Sequence, residues 1–113
     1  MHELSIAMNI IDIAGEYAEK ANAKVVHRID IEVGELSGVV FEALEFAMEN
    51  AKKNTILEKT ECSIIRIPGK VHCENCSYEF DTDNVYTECP KCGDYRQEII
   101  QGRELRVKSL TVE

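Results

Sequence analysis

The sequence predicts an α+β protein in which two helices pack on one face of a three-stranded sheet and a four-cysteine, zinc-ribbon-like module is inserted before the last strand. Three observations carry this reading. Two stretches repeat their apolar residues with the 3.6 period of a helix, three others alternate with the period of two of a strand, and four of the five cysteines fall in a stretch with no helical pattern.

The first helix is read from Leu4 to Ala21. Apolar residues recur at Leu4, Ala7, Met8, Ile11, Ala14 and Ala18, with a second line through Ile6, Ile10, Ile13 and Tyr17, which together make a wide buried face. Asn22 is the expected stop. "VVHRIDIEVGEL" then alternates, with His27, Ile29, Ile31 and Val33 on one face and Val26, Arg28, Asp30 and Glu32 on the other, a half-buried strand over 25–34 ended by Gly34. After Ser37 and Gly38, the spacing of Val40, Leu44, Ala47, Met48 and Ala51 predicts a second helix, with Glu42, Glu45 and Glu49 toward solvent. "ECSIIRIPG" predicts a strand over 60–67, with Ser63, Ile65 and Ile67 on one face and Pro68–Gly69 closing it. The last strand, 103–112, alternates through Leu105 and Val107 and slips near Lys108 and Ser109, the mark of a bulge. The domain division is therefore 1–69, completed by the final strand at 101–113, with a separate module at 70–100.

A net charge of -8, from 21 acidic and 13 basic residues, opposes binding to nucleic acid or to an anionic membrane. No apolar run reaches the roughly 20 residues of a membrane span, and the N-terminus lacks the basic and apolar regions of a secretory signal. The expected compartment is the cytoplasm, where cysteines serve metals or thiol chemistry rather than disulfides.

"CENC" and "CPKCG" place Cys73, Cys76, Cys89 and Cys92 as two C-x2-C pairs separated by 12 residues. Two intervening residues let the chain fold back so that both thiolates face one ion, and Gly93 permits the positive φ with which such a knuckle closes. Four sulfurs in a tetrahedron select zinc or iron, and a permanent structural role favours redox-inert zinc. The module has few large apolar side chains, so the metal supplies its folding energy. A thioredoxin-like redox pair is the rival, but that motif opens a helix in a βαβ context, which the pattern does not show. With seven acidic against three basic residues over 70–100, the module repels phosphate, which points to a structural or protein-binding role. Cys62 reads as a buried small hydrophobe.

"MHE" at the start offers a second, different donor set. The Met1 terminal amine, the His2 amide nitrogen and the His2 imidazole can form adjoining chelate rings, and Glu3 adds an amide or a carboxylate. Nitrogen-rich planar ligation suits Ni(II) or Cu(II); cytosolic copper is Cu(I), which prefers sulfur, so nickel is the better candidate. The bland alternative is a helix start, with Glu3 complementing the positive end of the dipole. His27, in phase with Ile29 and Ile31, reads as a hydrogen-bonded strand residue, and His72 as a supporting group for a cysteine sulfur, a late nickel donor or a plain loop residue.

Taken together, "MHELSIAMNII", "VGELSGVVFEALEFAMENA", the C-x2-C and "CPKCG" pairs and "GRELRVKSL" resemble the HypA-type nickel metallochaperones of nickel–iron hydrogenase maturation, in order and over nearly the whole chain. The resemblance implies delivery of Ni2+ as cargo with a partner GTPase to the hydrogenase large subunit or its precursor, and in some bacteria support of urease. It also implies nickel ligation by His2 and Glu3 and structural Zn2+ on Cys73, Cys76, Cys89 and Cys92. Two departures stand out: Phe41 occupies a position often proline in relatives, and a histidine flanks only the first cysteine pair, as His72.

No nucleophile–base pair, phosphate-binding glycine loop or paired acid–base motif is visible, so the expected role is delivery rather than catalysis. The rival function is a zinc-ribbon adaptor that joins proteins without moving nickel; a thiol oxidoreductase is third. Whether the chain forms a homodimer is open at this level.

Overall fold

The structure, a computed structural model, describes residues 2–113; the expected terminal-amine ligand, Met1, lies outside the described residues. Helix α1 spans Glu3–Lys20, strand β1 Val26–Gly34, helix α2 Phe41–Ala51 and strand β2 Glu61–Ile67. Strands β3 (Lys70–Cys73), β4 (Glu79–Asp81) and β5 (Gln97–Gln101) follow, and β6 (Leu105–Val112) ends the fold.

Two three-stranded sheets result, ordered β2-β1-β6 and β4-β3-β5. They lie in a molecule measuring 55 × 24 × 16 Å, elongated because the chain leaves the first sheet at Ile67 and re-enters it at Leu105. In the first sheet β1 pairs in parallel with β2 and antiparallel with β6. The β1–α2–β2 segment is therefore a βαβ unit, contrary to expectation. The cysteine pairs nonetheless lie outside it, in and around the second sheet, so the ground for setting aside a thioredoxin-like site changes from its absence to its position.

Helix α1 buries Ala7, Ile10, Ile11, Ala14 and Ala18 against the sheet and α2. Its buried stripe is narrower than its apolar one. Leu4, Met8, Ile13 and Tyr17 stay largely exposed, because a three-stranded sheet carrying two helices has nothing left to cover the outer flanks. The helix stops where expected. Asn22 takes φ 54°, its N–H donates to Glu19 O at 3.0 Å, and the Ala23 N–H reaches back to Ala18 O at 2.9 Å, closing the last carbonyls in a Schellman motif.

Along β1, Ile29, Ile31 and Val33 are fully buried while Arg28, Asp30 and Glu32 face the open side with Arg106 and Ser109 as partners. His27 breaks the expected phase. The register jumps from Val26↔Val112 to Arg28↔Thr111, so His27 sits in a bulge, turns outward and bonds Glu113 at 2.8 Å, while Val26 becomes buried. The bulge read from β6 is present: Asp30 pairs with Ser109 and Ile31 with Val107, leaving Lys108 as the extra residue. On β2 the residues that pack on the core are Cys62 and Ile64, not the Ser63 and Ile65 line.

Between the sheets, three backbone segments meet almost without side chains. A Cβ on Gly34 would lie 1.8 Å from Gly102 O, and one on Gly69 would lie 2.1 Å from Thr82 O and 2.7 Å from Leu36 Cγ. The Leu36 N–H donates to Gly102 O at 2.8 Å and the Glu35 N–H to Ile67 O at 2.9 Å. Gly102 itself takes φ 117°, a conformation closed to most side chains. This glycine joint, plugged by the Leu36 side chain, sets how the second sheet projects from the first.

Candidate metal sites

Two turns of the same design bring the four expected cysteines together. In the first, Cys73 ends β3, its N–H donates to Tyr78 O at 2.8 Å, and the Ser77 N–H closes onto Cys73 O at 2.9 Å. In the second, the Cys89 N–H donates to Asp94 O at 2.9 Å and the Gly93 N–H to Cys89 O at 2.8 Å. Each turn needs a residue at positive φ four places after its first cysteine. Gly93 fills that place at 77°, as expected, and Ser77 at 65°, which no glycine announced in the sequence.

All four sulfurs lie within 4.8 Å of one another. Cys73 Sγ is 3.6 Å from Cys92 Sγ, and Cys76 Sγ is 3.6 Å from Cys89 Sγ. Neither pair is at disulfide distance, which is about 2.05 Å. A tetrahedron with sulfurs about 2.3 Å from a central zinc has edges of about 3.8 Å, so the cage already has the size that Zn2+ requires. Cys73 and Cys89 are buried and Cys76 and Cys92 exposed, so the cage opens at the module's surface with one flank covered. Zinc bound there would cross-link the two turns, and neighbouring N–H groups and side chains reach the sulfurs that would hold it.

Those groups favour thiolate at Cys92 and, against desolvation, at Cys89, where the Cys92 and Lys91 N–H groups lower the thiol, and they fail to do so at Cys76. The Asn75 side chain and the Asp94 N–H hold the Cys92 thiol down to about 6. For Cys76 the Tyr78 N–H acts in the same sense, but desolvation and hydrogen bonding to Cys89, Cys92 and Cys73 outweigh it and push the thiol up to about 12. Thiolate is thus favoured at some of the four crowded sulfurs and resisted at another, until a dication offsets the charge. Asp94 also braces the second turn through Arg96, whose Nη2 donates to Oδ2 at 2.7 Å and whose N–H donates to Oδ1 at 2.8 Å.

The remaining histidines and cysteine are held elsewhere. His72 Nδ1 is 3.4 Å from Glu79 Oε2 on β4, and strand alternation turns its ring away from the face on which Cys73 projects. His27 is committed to Glu113. Cys62 is half-buried in β2 beside Met48, where burial pushes its thiol up.

The N-terminal motif occupies the opening turn of α1. His2 is the N-cap, exposed, and its side chain makes no capping hydrogen bond. The first helical bond runs from the Ile6 N–H to His2 O at 3.2 Å, so the His2 and Glu3 peptide nitrogens precede the ladder. Glu3 Oε2 instead accepts from the Val40 N–H, at 3.3 Å, where α2 begins. Its own N–H and that of Val40 hold the Glu3 carboxyl below its ordinary range. Because β1 and β2 are parallel, α2 runs antiparallel to both; α1 lies alongside it in the same sense, with Gly15 to Ala23 near Thr55 and Ile56. The N-terminal motif thus sits at the end of the first sheet from which the cysteine module projects.

Comparison with known proteins agrees with this arrangement. The family model described as "Hydrogenase/urease nickel incorporation, metallochaperone, hypA" matches residues 1–112. A hydrogenase maturation factor HypA from Parabacteroides distasonis is 41% identical over 112 residues, covering 99% of this chain and 97% of the relative. One from Geobacter sulfurreducens is 41% identical over 113 residues and all of both chains. The solution structure of the Ni metallochaperone HypA from Helicobacter pylori superposes with a TM-score of 0.69 at 27% identity, covering 99% of this chain and 97% of that one. With family-wide sequence agreement, the same fold and a four-cysteine cage, the chain belongs to the HypA family of hydrogenase/urease nickel-incorporation metallochaperones.

Proposed function

We propose that the chain captures Ni2+ at its N-terminus, through His2 and Glu3 with the Met1 amine, and hands it on during nickel–iron hydrogenase maturation. The observation that carries this reading is the free state of the His2 donors. An N-cap side chain normally accepts a backbone N–H. His2 leaves its imidazole unused, and the His2 and Glu3 amide nitrogens can deprotonate onto a metal without breaking a helical hydrogen bond. Planar nitrogen ligation of this kind suits Ni(II).

The Glu3 carboxylate is engaged at Val40, so its amide nitrogen is the donor that Glu3 contributes. Residues 1–69 with 101–113 form the nickel-handling part, and 70–100 the zinc-held part, whose ligands are Cys73, Cys76, Cys89 and Cys92. The receiving partners are a maturation GTPase and the hydrogenase large subunit or its precursor, met in the cytoplasm; urease is a second destination. The exposed apolar residues beside the motif, Leu4, Met8, Val40 and Phe46, support GTPase docking on the helices. The role is carriage rather than catalysis.

Calorimetric nickel titration of the native-terminus protein tests the reading, with zinc measured in parallel. One nickel per chain that disappears in His2→Ala is the expected result. Equal affinity in wild type and His2→Ala would sink it and leave the zinc-ribbon adaptor.

A further inference from the structure

Beside the zinc-held sheet lies a groove of about 430 Å³ whose lining includes Val71, Glu74, Val85, Tyr86, Glu98 and Arg103. Tyr86 stands at its rim with 83% of its surface exposed. The ring is carried on a tied loop. Thr82 Oγ1 donates to Asn84 O at 3.0 Å and accepts from the Asn84 N–H at 3.1 Å, Asn84 Oδ1 accepts from the Tyr86 N–H at 2.8 Å, and Gln97 Nε2 donates to Thr87 O. An exposed tyrosine held this way loses little freedom when a partner covers it.

The charge around it is predominantly negative. Residues 70–100 hold seven acidic and three basic side chains, and a zinc tetrathiolate adds two further negative charges, four thiolates about one dication. Each of those three cations has a partner nearby: Arg96 is bound to Asp94, Lys91 lies 4.3 Å over the Tyr78 ring, and Lys70 pairs in register with Asp81. Among the described residues, Glu74, Asp83, Glu88 and Glu98 make no ion pair. Arg103 also lines the groove and offsets one of its two lining carboxylates, Glu74 and Glu98.

We propose that this face is a docking site for an arginine-bearing segment of a partner protein. A guanidinium stacks on a tyrosine ring and pairs with carboxylates through a planar fork, which an ammonium cannot do. A second copy of this chain is a poor occupant, since each copy carries -8 and would bring its own acidic face. The site is independent of nickel capture and lies on the other part of the molecule.

The test uses the full-length zinc-loaded chain and a synthetic ten-residue peptide carrying four arginines among glycines and serines, beside its all-lysine counterpart. Amide chemical shifts and affinity are followed at low and moderate salt. The proposal expects shifts confined to Glu74, Val85, Tyr86 and Glu98, tighter binding of the arginine peptide, and about tenfold weaker binding by Tyr86→Ala with Tyr86→Phe restoring it. Should Tyr86→Ala lose zinc, Glu98→Gln carries the test, with lower affinity and a shallower salt dependence expected. Absence of binding, equal affinity for both peptides, shifts spread over Glu42, Glu45 and Glu49 on α2, or undiminished binding by a zinc-loaded Tyr86→Ala would each overturn it.

Discussion

Glu3 Oε2 accepts a hydrogen bond from the Val40 N–H at 3.3 Å, so the first turn of α1 caps the start of α2 across 37 positions of sequence. A helix start has unsatisfied donors and a positive end, and a carboxylate meets both needs. The two adjacent residues are therefore held differently: the His2 side chain makes no capping hydrogen bond, while the Glu3 side chain ties the start of α1 to the start of α2.

This division predicts different outcomes for the two residues. Glu3→Gln keeps an acceptor for Val40 and the peptide nitrogen, so its nickel affinity is expected to stay close to wild type. Losing even a group that only supports a metal ligand costs about 10–100-fold, so His2→Ala is expected to lose at least about 100-fold. Titration of both variants separates the cases. A Glu3→Gln that binds as poorly as His2→Ala would put the carboxylate itself on the metal.

The cysteine cage predicts a local collapse. Replacing Cys76 or Cys92 by serine leaves three thiolates and a module whose one fully buried aliphatic side chain among the described residues is Val71. Zinc stoichiometry is expected to fall and amide signals of 70–101 to lose dispersion, while those of α1, β1 and α2 persist. Retention of one zinc and a folded spectrum in both variants would contradict the four-sulfur assignment.

Two glycines predict opposite signs. At Gly34 a Cβ would stand 1.8 Å from Gly102 O, inside the joint between the sheets, whereas at Gly15, in mid-helix, nothing lies within 4 Å. Gly34→Ala must push backbone apart and is expected to cost at least about 3 kcal/mol. Gly15→Ala is expected to stabilise by roughly 0.5–1 kcal/mol, the usual gain in a helix interior. Denaturant unfolding of each variant measures both, and a neutral Gly34→Ala would show that the joint is loose.

Asp94 predicts an absence of pH dependence. The Arg96 side chain, then its N–H, lowers the carboxyl from an ordinary 3.8 to about 2. A depressed carboxylate stabilises the fold fully above its unfolded pKa, and the contribution fades only as pH falls through the folded value. Asp94→Asn is therefore expected to weaken zinc retention by the same factor at every pH between about 6 and 8. A defect that grows or vanishes within that window would assign the effect to another group.

What is local could be read from the residues alone. Cysteine spacing identified the cage because a knuckle's ligands lie within a few residues of each other, and the slip at Lys108 marked a bulge because alternation has a fixed period. The helix stop at Asn22 was legible for the same reason. What depends on residues distant in the chain emerged with the folded arrangement. Periodicity shows that Leu4, Met8, Ile13 and Tyr17 are apolar, but their exposure follows from how few strands the helices have to cover. The parallel pairing of β1 with β2, the core face of Cys62 and Ile64 and the outward turn of His27 are set by register between separate segments. Gly34, Gly69 and Gly102 each look like turn residues in isolation, and nothing in the sequence pairs the Glu3 carboxylate with Val40. Their roles appear only once folding brings three backbones to one joint and places Val40 over Glu3, because steric exclusion and hydrogen bonding act on distance in space and not along the chain.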